Sequence, residues 1–387
     1  MKILFISYYF PPLGGVGVIR ISKFIKYFKR KGYKISVITV KEIPYYLYDE
    51  DLLKEIEGIN IYQVESLDFA RLLYYLGIRK KFSYAGTTYS HFLNKLLFPD
   101  AKIGFLPFCY FFSKRIIEKE KPSFIFTTSP PYTNLLIGLF LKKKFSIPLI
   151  SDFRDPYPTG IIPPPFYFKK ILDSLRKKIV EDSEIVLSCH YEILKVLGNK
   201  AIWLPNGYDP EDFIIEEWKF PTRSIFYAGN LEKNSKEIFL LAEDLKELPD
   251  LKIYLAGHID LSTKKELINY SNIIYLGSFS HKEVCSLMKG ADYLLYLSKP
   301  NQIVGLKLFE YIGAQRPIIF YGKISEEIKM LNEKYKIGYY YDEKLKEKII
   351  KNEELEVNRN TSYLFSFPYL TERLIGIIKK KKAGDGI

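Results

Sequence analysis

Short apolar runs alternate with stretches of helical periodicity along almost all of this chain, and that rhythm restricts its fold more than any other feature. Residues 2–7 read as a buried strand. Over 18–31, Ile19, Ile21, Phe24, Ile25 and Phe28 recur at helical spacing; Gly32 stops the helix and 34–40 is a second strand. Such a βαβ start implies a parallel sheet with right-handed crossovers. Further strands are expected at 123–128, 148–152, 185–188 and 201–204, with a helix over 132–145. Pro205-Asn206-Gly207-Tyr208 is a turn signal and is placed as the hinge. A second block repeats the pattern with strands at 224–228, 252–256, 272–276, 293–297 and 317–321, and 369–381 is a final helix with a basic end. The segment 67–117 is less regular. It reads either as helices laid over the sheet or as a face that touches a membrane or a lipid acceptor.

With 387 residues the chain is long enough for two domains, each burying its own core. The expected class is α/β: two Rossmann-like, doubly wound domains facing across a cleft, with the C-terminal helix returning to the first. The expected boundaries are 1–204 plus 366–387, and 205–365. In open parallel sheets ligands bind at the carboxyl ends of the strands.

Apolar residues make up 47% and charged residues 27%, which excludes a largely disordered chain. A net charge of +13 with 32 Tyr and 28 Phe suits contact with anionic lipid, and compositional drift explains the same bias equally well. Cys109, Cys189 and Cys285 lie far apart, with neither disulfide nor metal spacing, and point to a reducing compartment. Residues 1–6 are too short an apolar run for a signal peptide, and no run approaches the ~20 apolar residues of a membrane helix. A cytoplasmic protein is expected, at most peripheral at the inner face of the cell membrane.

Three segments carry chemistry. The loop Tyr8-Tyr9-Phe10-Pro11-Pro12-Leu13-Gly14-Gly15-Val16-Gly17 runs from the first strand into a helix, where glycine amides and a helix N-terminus can approach phosphate. Its glycine order is neither GxGxxG nor GxxxxGK[ST], and a plain strand–helix turn fits it too. Ser151-Asp152-Phe153-Arg154-Asp155-Pro156-Tyr157 sets three charges at the end of a buried strand, either as functional groups or as an internal Asp–Arg bridge. In Gln302-Ile303-Val304-Gly305-Leu306-Lys307-Leu308-Phe309-Glu310-Tyr311, Gly305 opens a helix whose free amides form an anion site and Lys307 adds charge. Glu310, one turn further in, can accept both hydroxyls of a ribose. Gly305 as a simple cap and Glu310 as a solvated side chain is the other reading.

Taken in order, these motifs resemble the family 4 glycosyltransferases of the GT-B fold, the branch with YYFPPxGG, DFRDP and KLFEY. Here the motifs are residues 8–15, 152–156 and 307–311, with Thr128-Ser129-Pro130-Pro131, Leu204-Pro205-Asn206-Gly207-Tyr208-Asp209 and Tyr227-Ala228-Gly229 between them. The ordered set spans nearly the whole chain. The resemblance implies transfer of a sugar from a nucleotide diphosphate sugar to a glycan or lipid-linked acceptor, in surface polysaccharide synthesis, with retention and without a metal or other cofactor. It implies that Glu310 binds the donor ribose and that the amides of Gly305, Leu306 and Leu308, with Lys307, hold the diphosphate. Gly14 and Gly15 would close over the phosphates. The acceptor would lie near Ser129, Asp152, Arg154 and Asp155, with Asp152 or Asp155 orienting it or relaying its proton.

This chain departs from the family at three places. Gln302 stands where many members have the first Glu of a Glu-x7-Glu pair. Asn230 replaces an Arg after Gly229, leaving Lys233 or Lys236 to supply positive charge. Ser129-Pro130 occupies the strand end where many members carry a His, and His91, His190, His258 and His281 read as structural or exposed. A nucleotide-sugar epimerase on the same fold and a non-catalytic partner scaffold are the competing expectations. Nucleic-acid binding has charge alone behind it. Hydride transfer lacks a ribose acid after Thr39-Val40-Lys41.

Overall fold

The computed structural model describes residues 1–78, 96–155, 166–231, 235–299 and 303–383. The chain divides into two compact units, Met1–Pro205 with Thr371–Ile387, and Asn206–Leu370.

In the first unit seven parallel strands form one sheet: β1 (Lys2–Ile6), β2 (Lys34–Val40), β3 (Asn60–Val64), β4 (Phe124–Ser129), β5 (Leu149–Phe153), β6 (Ile185–Ser188) and β7 (Ala201–Trp203). Their order is β3-β2-β1-β4-β5-β6-β7, so the winding reverses between β1 and β4. The central strands are buried on both faces, which is why they read as continuous apolar runs. Leu4, Ile6, Ile38, Ile125, Ile137 and Leu149 fill one core cluster, and Tyr132, Phe153, Ile179 and Val186 a second. Periodicity did not reveal β3, an edge strand of sequence Asn-Ile-Tyr-Gln-Val that buries only its last residue.

Where it is described, the segment 67–117 forms helices, one of them laid over the sheet. The helix Leu106–Glu120 packs on β2 and β3 and buries Cys109, Ile116 and Ile117. A shorter helix, Phe69–Tyr75, is capped by Asp68. The basic run Arg79-Lys80-Lys81 and His91 lie outside the described residues.

In the second unit β8 (Arg223–Ala228), β9 (Leu251–Ala256), β10 (Ile273–Gly277), β11 (Tyr293–Ser298), β12 (Ile318–Gly322) and β13 (Tyr339–Tyr340) form a parallel sheet in the order β10-β9-β8-β11-β12-β13. Here the reversal falls between β8 and β11. The sequence did not announce β13 because it is two residues long and half exposed.

The final helix, Phe367–Ala383, begins in the second unit and ends in the first. Glu372 on it pairs with Lys31 at the end of the helix Val16–Arg30. Cys109, Cys189 and Cys285 are all free and buried. Among the described residues no helix is long and apolar enough to cross a membrane.

Candidate functional site

Of the expected nucleotide residues, Gly229, Gly305, Lys307 and Glu310 gather at the switch point of the second unit. Gly229 follows strand β8, and the helix Leu306–Ala314 begins after β11, the neighbour of β8 in the sheet. Gly305 is the N-cap and supplies no side-chain bond to the first-turn amides, and the space where its Cβ would lie is open. Of the three amides expected to hold the diphosphate, that of Leu308 donates back to the Gly305 carbonyl at 3.3 Å and that of Gly305 to the Tyr296 hydroxyl, which leaves Leu306 as the expected backbone donor. Lys307 stands beside Gly229: a Cβ built there would lie 3.5 Å from Nζ.

Lys307 sits in a cage of buried tyrosines, with Nζ 4.2 Å from the ring centroid of Tyr227, 5.3 Å from Tyr296 and 6.0 Å from Tyr311. Burial pushes its pKa down to about 8, against the nearby Glu310 charge, which raises it. Ring faces stabilise an ammonium without neutralising it, so its positive charge stays open to an anion. Two of its rings are tethered: the Tyr311 hydroxyl accepts from the Ala228 amide at 3.0 Å, and the Tyr227 hydroxyl donates to the Asn230 carbonyl at 3.2 Å. Asn230 thus serves this site through its backbone.

Glu310 lies on the same helix as Lys307, one turn on. Its Oε1 is 2.9 Å from Nε2 of His281, the first residue of the neighbouring helix His281–Gly290. Burial works against the His281 imidazolium, yet hydrogen bonds to Cys285 and Glu310, with the charge of Glu310, hold its pKa up at about 11. The sequence reading left His281 among structural or exposed histidines; nothing in a spacing of 29 residues announces the pair. Lys236 is exposed on the helix Ser235–Asp244, while Lys233 and Gln302 lie outside the described residues.

At the first unit's switch point the strand ends hold one another. Asp152 lies at the end of β5 with Arg20 from the helix after β1: Nη2 is 3.1 Å from Oδ1 and Nε 3.3 Å from Oδ2, and both side chains are 1% exposed. Thr128 donates to the same carboxylate at 3.0 Å, and Arg20 also donates to the carbonyls of Leu204 at 2.9 Å and Pro205 at 2.6 Å. An internal Asp–Arg bridge therefore exists, but its arginine is Arg20, not Arg154. The Arg154 guanidinium donates to the carbonyls of Ser129, Pro130 and Gly17 and is 7% exposed. Asp155 is partly exposed, and Pro156 and Tyr157 lie outside the described residues.

Gly14 is also committed, since its amide donates to the Leu47 carbonyl at 2.9 Å. Gly15 caps the helix Val16–Arg30 with φ +96°, a conformation that requires glycine. A Cβ on it would approach the Tyr46 hydroxyl to 2.6 Å.

No protein-family model and no curated protein matches this sequence. Solved structures do match in fold. Sucrose-phosphate synthase from Thermosynechococcus elongatus superposes with TM-score 0.67 at 12% identity, covering 99% of this chain and 100% of that one. Anabaena Alr3699/HepE in complex with UDP and glucose gives 0.61 at 12%, covering 98% and 99%. The fold is GT-B. UDP-GlcNAc 2-epimerase from Neisseria meningitidis, bound to UDP-GlcNAc, gives 0.58 at 12% identity and 98% and 100% coverage, so the GT-B likeness extends to an epimerase. At these identities the comparison speaks for the fold alone.

Proposed function

We propose that this chain is a nucleotide-sugar-dependent glycosyltransferase. The observation that carries the reading is the group formed by Lys307, Gly229, the Leu306 amide at the start of the helix Leu306–Ala314 and Glu310, gathered at a topological switch point. It offers positive charge and an amide donor for a diphosphate, with a carboxylate one helical turn away for a ribose. The solved GT-B proteins that hold UDP or UDP-sugar support it.

In this reading the bond from the anomeric carbon to the diphosphate oxygen breaks, and an acceptor hydroxyl oxygen forms the new bond. Lys307 and the amide of Leu306 stabilise the charge gathering on the departing diphosphate. The acceptor, a glycan or lipid-linked sugar, lies against the first unit, and the reaction proceeds with retention. Exposed Leu67, Leu72 and Leu76 suit an acceptor presented at a membrane surface. Since Asp152 is locked to Arg20, Asp155 is the acidic group left to orient the acceptor hydroxyl and relay its proton, which ends on the departing diphosphate.

The test is binding and turnover. Purified protein is titrated with UDP and a panel of nucleotide sugars, then assayed for sugar release with and without glycan acceptors. Binding lost in Glu310→Ala, with acceptor-dependent turnover, supports transfer. Conversion of the donor sugar without any acceptor supports the epimerase reading that the Neisseria likeness raises. A folded protein that binds no donor overturns both.

A further inference from the structure

Glu310 and Lys307 lie three residues apart on one helix face, the spacing at which a carboxylate and an ammonium attract each other. Joined directly, they would consume both the ribose acceptor and the diphosphate cation. Among the described residues no ion pair joins them. Instead Glu310 gives Oε1 to His281 at 2.9 Å, and Lys307 stays over the Tyr227 ring at 4.2 Å. Among the described residues no hydrogen bond occupies the second oxygen, Oε2.

We infer that His281 is the positioning residue for ribose recognition: it holds Glu310 by Oε1, away from Lys307, and so keeps Oε2 for the ribose hydroxyls and Lys307 for the diphosphate. The inference rests on the donor-site reading above.

The surroundings favour this division. His281 is the first residue of its helix, fixed by the capping box in which Ser280 and Glu283 bond each other's backbone. Its side chain is 33% exposed and that of Glu310 15%, so the pair is shielded but reachable by a ligand. The charged and titratable groups facing it are Lys307 and Tyr311 on the helix of Glu310, and Cys285 on the helix of His281, with Sγ 3.9 Å from Nε2. Asp212, from the 3-10 turn Pro210–Phe213 packed on that helix, faces Cys285. Burial alone would strip the imidazole of its proton, and the hydrogen bonds of Cys285 and Glu310 and the charge of Glu310 restore it.

The experiment compares UDP with 2′,3′-dideoxy-UDP by calorimetry, so that the ratio of their dissociation constants measures the ribose hydroxyls alone. In the unaltered protein the ratio is expected to be about tenfold or more, the weight of one hydrogen bond to a charged group. Glu310→Ala should bring it to about one, because the acceptor is gone. His281→Ala should bring it close to one as well, since Glu310 swings to Lys307, whereas His281→Gln, which still donates to Oε1, should restore most of it. A lesion confined to folding weakens both ligands equally and leaves the ratio untouched. An unchanged ratio in His281→Ala, or one no higher in His281→Gln than in His281→Ala, overturns the inference. A ratio of one in the unaltered protein overturns the Glu310 reading itself, which separates the two failures.

Discussion

Arg20 and Asp152 meet through two guanidinium–carboxylate contacts, 3.1 and 3.3 Å, with both side chains 1% exposed. The pair joins the helix after β1 to the end of β5 across 132 residues of sequence. It also holds the chain at Leu204 and Pro205, where the first unit ends. The Asp152 carboxylate is thus part of the framework beneath the strand ends.

Breaking that pair from one side should be costly. Asp152→Asn or Arg20→Met leaves a buried charge unpaired and should lower unfolding free energy by ~3–5 kcal/mol in urea denaturation. Replacing both with apolar residues should cost less. Asp155→Asn, at a partly exposed position, should stay within ~0.5 kcal/mol of the unaltered protein while lowering transfer. Equal destabilisation by Asp152→Asn and Asp155→Asn would count against the division of roles.

Lys307 should make donor binding pH-dependent in the basic range. Its pKa is held down to about 8 by burial, so the ammonium is charged below that pH and neutral above it. Affinity for UDP should therefore fall as pH rises through about 8, and binding there should take up a proton, because the diphosphate favours the charged lysine. Calorimetry in two buffers of different ionisation enthalpy reads that uptake. Lys307→Met should abolish it and weaken UDP by roughly 10- to 100-fold.

Gly257, just past the end of β9, packs against Gly229 at the same site. Its φ is +132°, and a Cβ there would lie 2.2 Å from the Gly229 carbonyl oxygen. Gly257→Ala should then displace the Gly229–Asn230 turn and lower stability by at least ~2 kcal/mol. Loss of UDP affinity should exceed that of an equally destabilising core change far from β8. Melting curves with and without UDP separate the two effects.

The His281–Glu310 pair should also leave a mark on stability. The folded pKa of His281, about 11, lies above its ordinary 6.5. The stabilisation from its proton is therefore fully present below 6.5 and disappears as pH rises toward about 11. The difference in stability between the unaltered protein and His281→Ala should be greatest in mildly acidic solution and shrink through the alkaline range. A difference that grows with pH would contradict the charged pair.

The sequence by itself determined the two α/β blocks and their parallel sheets. Strands buried on both faces must be continuous apolar runs, and the helices between them must carry one apolar stripe, so local pattern and fold coincide. It also placed Gly229, Gly305, Lys307 and Glu310 at strand ends and at a helix start, because glycine at a turn and charge at a helix entrance are local features. The edge strands escaped, since β3 and β13 bury little and carry little pattern. Only the tertiary structure decided the partners. Asp152 finds Arg20 rather than Arg154, His281 finds Glu310, and three tyrosines from β8, β11 and the helix Leu306–Ala314 converge on Lys307. Apart from Tyr311, four residues on from Lys307 along one helix, these contacts join residues distant in sequence, and their identity follows from how strands and helices are arranged, which no periodicity along the chain encodes.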